Sequence, residues 1–432
     1  MGNLGDDREA WDRGRIEAHQ EEGLARLFSE LRSNEFYLGR LESSGASRRS
    51  PRLVDLGGVP FTTKPELVDA QHRRPPYGPL PTYPLSRYRY AHRTSGTSGQ
   101  PLWWLDTEED WETWIRCWGL VYGGAGVSPE DRVFLAFSFG PYISHWTAYA
   151  GASRLGALSF TGGGMTSLQR LEAIGRSDST VLVSTPTYAL YLAQVASENG
   201  IDLAASSVRV TIHAGEPGAS VPNVRRRIEE AWGAACYDHA GATEVGAWAF
   251  ACGNREAIHL NELEFVFEVV DPATGDPVAN GARGELVITT LGRMGMPVIR
   301  YRTGDLVERT SERCPCGSSM ALIRGGVLGR ADDMLIVRGV NLFPSALDDL
   351  IRGVDGVEEY EVEIHRRGGL DELVLKAEPS PGASFESVAR TLDEAFRSRL
   401  NLRLEIREAP AGSLPRYELK ARRYKRITDR RE

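Results

Sequence analysis

From about residue 110 onward, short apolar runs alternate with helical patterns, and this alternation constrains the fold more than any other feature of the chain. DRVFLAFSFG (131–140) reads as a strand. TVLVSTP (180–186) reads as a buried strand, with a helix near 187–199. SVRVTIHAGE (207–216) alternates Val208, Val210 and Ile212 before a small-residue loop, and RGELVITTL (283–291) is a further strand. Strands alternating with helices predict an α/β fold with a parallel, doubly wound core. Ligands of such sheets bind where loops leave the carboxyl ends of the strands.

The pattern restarts near GRADD (329–333). Pro344 is placed to open a helix carrying Leu347, Leu350 and Ile351. YEVEI (360–364), ELVLKAE (372–378) and LRLEIRE (402–408) read as strands, and Phe385, Val388, Leu392 and Phe396 share one helical face. The expected division is a large domain at 1–328 and a small α+β domain at 329–432. Residues 1–50 read as two polar helices around Leu24, Leu27 and Leu31. The proline-punctuated segment 59–78 reads as an irregular connection.

A formal charge of −8 argues against non-specific nucleic-acid binding. No run of about 18 uncharged apolar residues occurs, which excludes a membrane-spanning helix. MGNLGDDREA lacks the apolar stretch of a secretory signal, and Asp6 breaks the myristoylation pattern. With only five cysteines, a reducing, cytoplasmic setting is expected. Lysine occurs only at Lys64, Lys376, Lys420 and Lys425 among 51 basic residues. A coding bias toward arginine accounts for most of this. A lysine that survives the bias is still a better candidate for chemistry that arginine cannot do.

Three motifs carry chemistry. In RTSGTSGQP (93–101), Gly96 and Gly99 let the backbone approach a ligand, and Thr94, Ser95, Thr97 and Ser98 add hydroxyl donors suited to phosphate. Alone, the loop reads equally well as a flexible turn. In YRTGD (301–305), Asp305 could accept two ribose hydroxyls, although taken alone the motif reads first as an Asx-type turn. In AGATEVG (240–246), Glu244 is a candidate Mg²⁺ ligand, a hard oxygen of the kind Mg²⁺ shares with substrate phosphates.

In this order the motifs resemble the adenylate-forming superfamily, and more closely its phenylacetate–coenzyme A ligase family. HAGEPG (213–218) resembles that family's adenine loop, and GATE (241–244) its G-x-T-E element. GRADDMLIVRGVNLFP (329–344) resembles its domain junction. VPFTTKPEL (59–67) and LPRYELKARR (414–423) resemble its N-terminal segment and its C-terminal lysine motif. The resemblance spans about 59 to 425. It implies an ATP-dependent activation of an aromatic acid to acyl-AMP with release of pyrophosphate, then transfer to coenzyme A. Lys420 and Glu244 would be catalytic, with Mg²⁺ on Glu244. Thr94, Ser95, Gly96, Thr97, Ser98 and Gly99 would hold pyrophosphate, and Asp305 and Arg330 the ribose. Ala214, Gly215, Glu216, Asp238, His239, Ala240, Gly241 and Thr243 would line the nucleotide site. Asp332 matches the pivot of a mobile lid, and a homodimer is expected.

Cys252, His259, Cys314 and Cys316 offer three thiols and one imidazole, a set suited to a closed structural zinc site. The bland reading is ordinary buried cysteines and a surface histidine. Cys117 and Cys236 read as small core residues. Phe139, Tyr142, His145 and Trp146 could line an aromatic acyl slot or simply pack the core.

Two departures bear on the substrate. The aromatic residue usual before the G-x-T-E glycine is Ala240 here, so adenine would be held by His239 or Tyr237, or the acyl pocket would extend there. Gln100 and Leu102 stand where a lysine often follows the phosphate loop. The acid is then as readily a substituted benzoate as phenylacetate. Transfer to a carrier-protein thiol or an amine would keep the same motifs. An inactive homologue acting as a binding protein would be expected to have lost one of them, and a kinase would release ADP.

Overall fold

A computed structural model of the chain describes residues 11–44, 52–94, 101–310, 312–337, 340–367, 370–418 and 421–427. The strands Leu158–Thr161, Arg132–Leu135, Val181–Ser184, Val210–His213 and Ala235–Ala242 lie side by side in parallel, in that spatial order. Val181–Ser184 is buried along its whole length, as its uninterrupted apolar run predicts. The helices Pro186–Glu198 and Pro222–Trp232 both open on a proline, whose missing N–H costs nothing in the first turn.

The sheet is not parallel throughout. Beyond Ala235–Ala242 it continues antiparallel through Gly246–Ala251, Ala257–Leu260, Leu322–Arg324, Tyr301–Thr310, Arg283–Thr290 and Phe265–Val270. Among the described residues no helix separates these strands, and every pairing except that of Ala257–Leu260 with Leu322–Arg324 joins strands consecutive in the chain.

The expected irregular connection at 59–78 is also corrected, because it contains the helix Lys64–Arg73. Thr63 and Glu66 form a reciprocal capping box, and Pro65 sits in the first turn. The T-x-x-E signal was present in the sequence but hidden by the neighbouring prolines. The helices Arg13–Glu30 and Glu35–Ser44 fulfil the expectation for the N-terminal region. Leu24, Leu27 and Leu31 are fully buried in one cluster with Val266, Leu291 and Ile299. Each such leucine contributes about 1.5–3 kcal/mol, so the helices are bound into the large unit. No described helix is long and apolar enough to cross a membrane.

A second sheet pairs Val357–Arg367 with Leu370–Pro379, antiparallel, and is flanked in parallel by Tyr424–Ile427 and Glu405–Glu408. The helices Pro344–Arg352 and Phe385–Leu400 bury Leu347, Leu350, Ile351, Val388, Leu392 and Phe396 against it. This cluster is separate from the core of the large sheet. The two units meet where the Asn223 N–H donates to Asp349 Oδ1 at 2.9 Å. Arg227 donates to the carbonyls of Val354 and Val357 at 2.6 and 3.0 Å.

Candidate active site

Glu244 sits at the turn between Ala235–Ala242 and Gly246–Ala251 and is only 5% exposed. A carboxylate that buried needs partners. Among the described residues it has two, both on Oε1: Lys64 Nζ at 3.1 Å and the Tyr301 hydroxyl, which donates at 3.4 Å. Burial and the neighbouring Glu244 hold the Tyr301 phenol well above its ordinary pKa. Lys64 arrives because Thr62 is stitched beside this strand, its N–H bonding the Arg300 carbonyl and its carbonyl accepting from Arg302. Sequence reading left Lys64 outside the site. Its rarity as a lysine was the available signal.

Asp305 lies opposite Arg330 in an antiparallel bridge, and their side chains approach to 3.4 Å. Gly304, at φ +76°, lets the guanidinium pass: a Cβ there would stand 2.4 Å from Arg330 Nη2. Arg330 Nε also donates to Asp332 Oδ1 at 3.0 Å. Burial opposes the Arg330 charge, but Asp305 and Asp332 hold its pKa above the usual value. The proposed ribose pair and the proposed pivot residue are thus one ion-pair network.

Thr94 is buried beside Leu102, with its N–H donating to the Leu102 carbonyl and its hydroxyl accepting the Leu102 N–H. The hairpin Tyr90–Arg93 and Trp103–Asp106 therefore closes at the base of the hydroxyl-rich loop. Ser95, Gly96, Thr97, Ser98 and Gly99 lie outside the described residues, as does Lys420. Arg293 ties the hairpin to the Glu244 turn. It pairs with the buried Asp106 at 2.6 Å and donates to the carbonyls of Thr243 and Val245. Nothing in its sequence neighbourhood singled Arg293 out, because the pairing spans 187 residues.

After Val210–His213 the chain turns at Gly215, φ +97°. Ala214 stays tied to the Ser184 carbonyl. The Glu216 carboxylate, expected among the adenine-lining groups, accepts the N–H groups of Thr187 and Ala421. Asp238 accepts from the Ser220 hydroxyl, and burial pushes its carboxyl up to about 7. His239 packs edge-on against Trp118 with ring centres 4.6 Å apart, and burial lowers its pKa to about 4, so it is neutral. Ala240 and Gly241 lie in the same strand, against Ala249 and Ala247.

The aromatic residues after Arg132–Leu135 form one cluster. His145 stacks on Phe137 at 4.1 Å and meets Tyr142 edge-on at 5.6 Å. Phe139 meets Trp146 at 4.8 Å. His145 Nδ1 lies 2.9 Å from the Ser138 carbonyl, and burial lowers its pKa. Trp146 is 45% exposed, so it borders the cluster rather than filling it.

Cys252, His259, Cys314 and Cys316 converge, with their ligand atoms all within 4.8 Å of one another. Cys252 Sγ lies 3.4 Å from Cys314 Sγ, and Cys316 Sγ lies 3.4 Å from His259 Nε2. A tetrahedron with metal–sulfur bonds of about 2.3 Å has edges of roughly 3.8 Å, so the set is close to ligating size. Strand pairing explains the convergence: His259 is directly opposite Leu322, which follows the loop bearing Cys314 and Cys316. Cys117 and Cys236 are buried, as expected of small core residues.

The profile of AMP-binding enzymes matches residues 90–296, and that of the AMP-binding enzyme C-terminal domain matches 339–431. The chain is similar to a phenylacetate-coenzyme A ligase of Thermus thermophilus, 31% identical over 95% of this chain and 96% of that protein. It is also similar to a phenylacetate-coenzyme A ligase of Escherichia coli, 32% identical over 85% of this chain and 84% of that one. Among solved structures, 2-hydroxyisobutyryl-CoA ligase in its postadenylation state with 2-HIB-AMP is 29% identical, with a TM-score of 0.93 over 100% of this chain and 94% of that chain. The same ligase in its thioesterification state, with CoA bound, gives 0.73 over 99% and 95%.

Proposed function

The chain belongs to the AMP-binding enzymes and, among them, to the phenylacetate–coenzyme A ligase family, and on that premise we propose that it activates an aryl carboxylic acid and hands it to coenzyme A. The activity is that of an AMP-forming acid–CoA ligase. In the first half-reaction a carboxylate oxygen bonds to the α-phosphorus of ATP as the bond to pyrophosphate breaks. In the second, the coenzyme A sulfur attacks the acyl carbon, AMP departs with the carboxyl oxygen, and the thiol proton is lost to solvent.

The observation that carries this reading is the pairing of Lys64 and Tyr301 with Glu244, with Asp305 and Arg330 close enough to act electrostatically on the same Tyr301 phenol. Adenylation brings two anions together, so neutralising charge and holding geometry are most of the task. Asp305 is assigned the ribose hydroxyls, with Arg330 beside its carboxylate at 3.4 Å. Lys420 is assigned the cation between carboxylate and α-phosphate, and Thr94 to Gly99 the pyrophosphate. Mg²⁺ fits Glu244, since it commonly takes one or two carboxylates and completes its shell with phosphate oxygens and water. When bound it would offset phosphate charge beside the Lys64–Glu244 pair. The domain arrangement, nearer the postadenylation than the thioesterification crystal structures, supports a lid that pivots at Asp332 within the 1–328 and 329–432 division.

Zinc is our assignment for Cys252, His259, Cys314 and Cys316. Held there it would staple the 312–320 loop to the strand Ala257–Leu260. The ring cluster around Phe137, Phe139 and His145 supports an aryl acid. Similarity to a 2-hydroxyisobutyryl-CoA ligase favours a second reading, a small hydroxy acid.

Product analysis with ATP, coenzyme A and a panel of aryl, hydroxy and amino acids tests the reading. The expected result is AMP, pyrophosphate and one aryl-CoA thioester in equal amounts. A thioester only with a hydroxy acid would select the second reading. ADP as product would overturn both. Acyl transfer only to a carrier protein or an amine would keep adenylation and replace the acceptor.

A further inference from the structure

Glu216 is bonded in a way that no nucleotide-lining role requires. Its Oε1 accepts the Thr187 N–H at 2.9 Å, and its Oε2 accepts the Ala421 N–H at 2.8 Å. Thr187 lies in the first turn of the helix Pro186–Glu198 of the large domain, and its N–H is among the first-turn amides that have no intrahelical acceptor. A carboxylate is the favoured partner there, because the helix N-terminus is electropositive. Ala421 belongs to the small domain and immediately follows Lys420. One carboxylate therefore joins two backbones from the two domains.

The surrounding groups reinforce the junction. Arg423 Nη1 donates to the Thr187 hydroxyl at 3.1 Å, so Thr187 is held through both its N–H and its side chain. The other face of that guanidinium is fixed by Glu359, at 2.7 and 3.0 Å, within the small domain. Burial opposes the Arg423 charge, but Tyr360, Glu359 and Glu216 more than compensate, and its pKa lies well above the ordinary value. The Arg422 carbonyl accepts from the Tyr417 hydroxyl at 3.0 Å. Residues 421–423 are thus held at each position.

We infer that Glu216 is a positioning residue for adenylation: it latches the backbone beside Lys420 to the large domain in the adenylating arrangement and lets go when the small domain turns. This rests on the reading of Lys420 as the adenylating cation. The Ala421 N–H belongs to the peptide bond that joins Ala421 to Lys420, so the bond to Glu216 acts on the link next to the assigned cation. Thr187 and Glu216 move with the large domain, and Ala421 and Arg423 with the small one. A rotation between the domains must break both cross-links together. The contact therefore serves one half-reaction and not the other.

Glu216→Gln is the discriminating change. It keeps the size of the side chain but turns one acceptor into an NH₂ group facing a backbone N–H. Two measurements on the full chain are needed. In the substrate-free protein, amide hydrogen exchange of the peptide spanning 421–423 should quicken about tenfold. In half-reaction assays, adenylation should slow at least about tenfold more than thioester formation from supplied acyl-adenylate, with the KM for ATP little changed. Glu216→Asp, too short to reach both amides, should behave likewise. Unchanged exchange at 421–423 would overturn the latch whatever the enzyme's substrate proves to be. Equal slowing of both half-reactions with a raised KM for ATP would return Glu216 to the nucleotide site and also overturn it. Acid-dependent adenylation by the wild type tests the underlying reading separately.

Discussion

Gly304→Ala should damage ribose binding by a route that can be followed atom by atom. Gly304 has φ +76°, a region that costs an L-residue about 1–2 kcal/mol. The added Cβ would stand 2.4 Å from Arg330 Nη2 and 3.0 Å from its Cζ. Ordinary contact begins near 3.4 Å, so the guanidinium must retreat by about an ångström. Its contact with Asp305 is already long, at 3.4 Å, and does not survive that retreat. Losing the aim of one charge-assisted hydrogen bond costs about 1.5–3 kcal/mol, or roughly ten- to hundredfold in nucleotide affinity. The assays are the KM for ATP in acid-dependent pyrophosphate exchange and the apparent affinity for acyl-adenylate in the thioester half-reaction. Both should worsen, because both ligands carry the same ribose. Thermal unfolding should register the backbone strain as a fall of a few degrees. An unchanged ATP KM in a variant with lowered stability would show that the Asp305–Arg330 pair does not hold the ribose. An unchanged KM and an unchanged melting temperature would refute the steric reasoning itself.

Other expectations are independent of that pair. Lys420→Ala should abolish adenylation while sparing thioester formation from supplied acyl-adenylate, and equal adenylation rates in variant and wild type would remove Lys420 from the mechanism. The purified protein should carry about one zinc per chain, and Cys316→Ser should lose metal and melt at lower temperature in the same preparation, whereas a metal-free wild type of normal stability would leave the cluster as four ordinary side chains. Burial opposes ionisation of Glu359, but Arg352 and Arg423 hold its carboxyl down at about 2 against an ordinary 4.5. Because the folded pKa is depressed, that stabilisation of about 3 kcal/mol is present above pH 4.5 and lost as pH falls from there toward 2. Glu359→Gln should flatten this part of the acid-unfolding curve, and an unaltered pH dependence would show that the buried pair does not set it.

The parallel half of the large sheet was legible because its strands are continuous apolar runs separated by helix-length segments, as in 180–199. In the antiparallel half the sequence reading marked only 283–291 as a strand and no change of direction, since Arg283–Thr290 has no local mark of its neighbour's polarity. The helix Lys64–Arg73 was missed because prolines outweighed a capping box. In the site, Glu244, Asp305 and Arg330 were marked as candidates by motif. Lys64 and Arg293 were not, because their value lies in contacts with Glu244 and Asp106 that only folding creates. The cysteine and histidine set was legible by composition, while its convergence required the pairing of His259 with Leu322. Glu216 was assigned to the adenine loop by its neighbours in sequence. Its bond to Ala421, 205 residues away, has no mark in the sequence.

The most direct measurement is ATP–pyrophosphate exchange without coenzyme A, run across aryl, hydroxy, alkyl and amino acids. Exchange that depends on one aryl acid, with AMP appearing only when coenzyme A is then added, is the predicted result. Binding of ATP without exchange for any acid in the panel, in a folded and metal-replete preparation, would contradict the assignment of this site to adenylation of an acid of these classes.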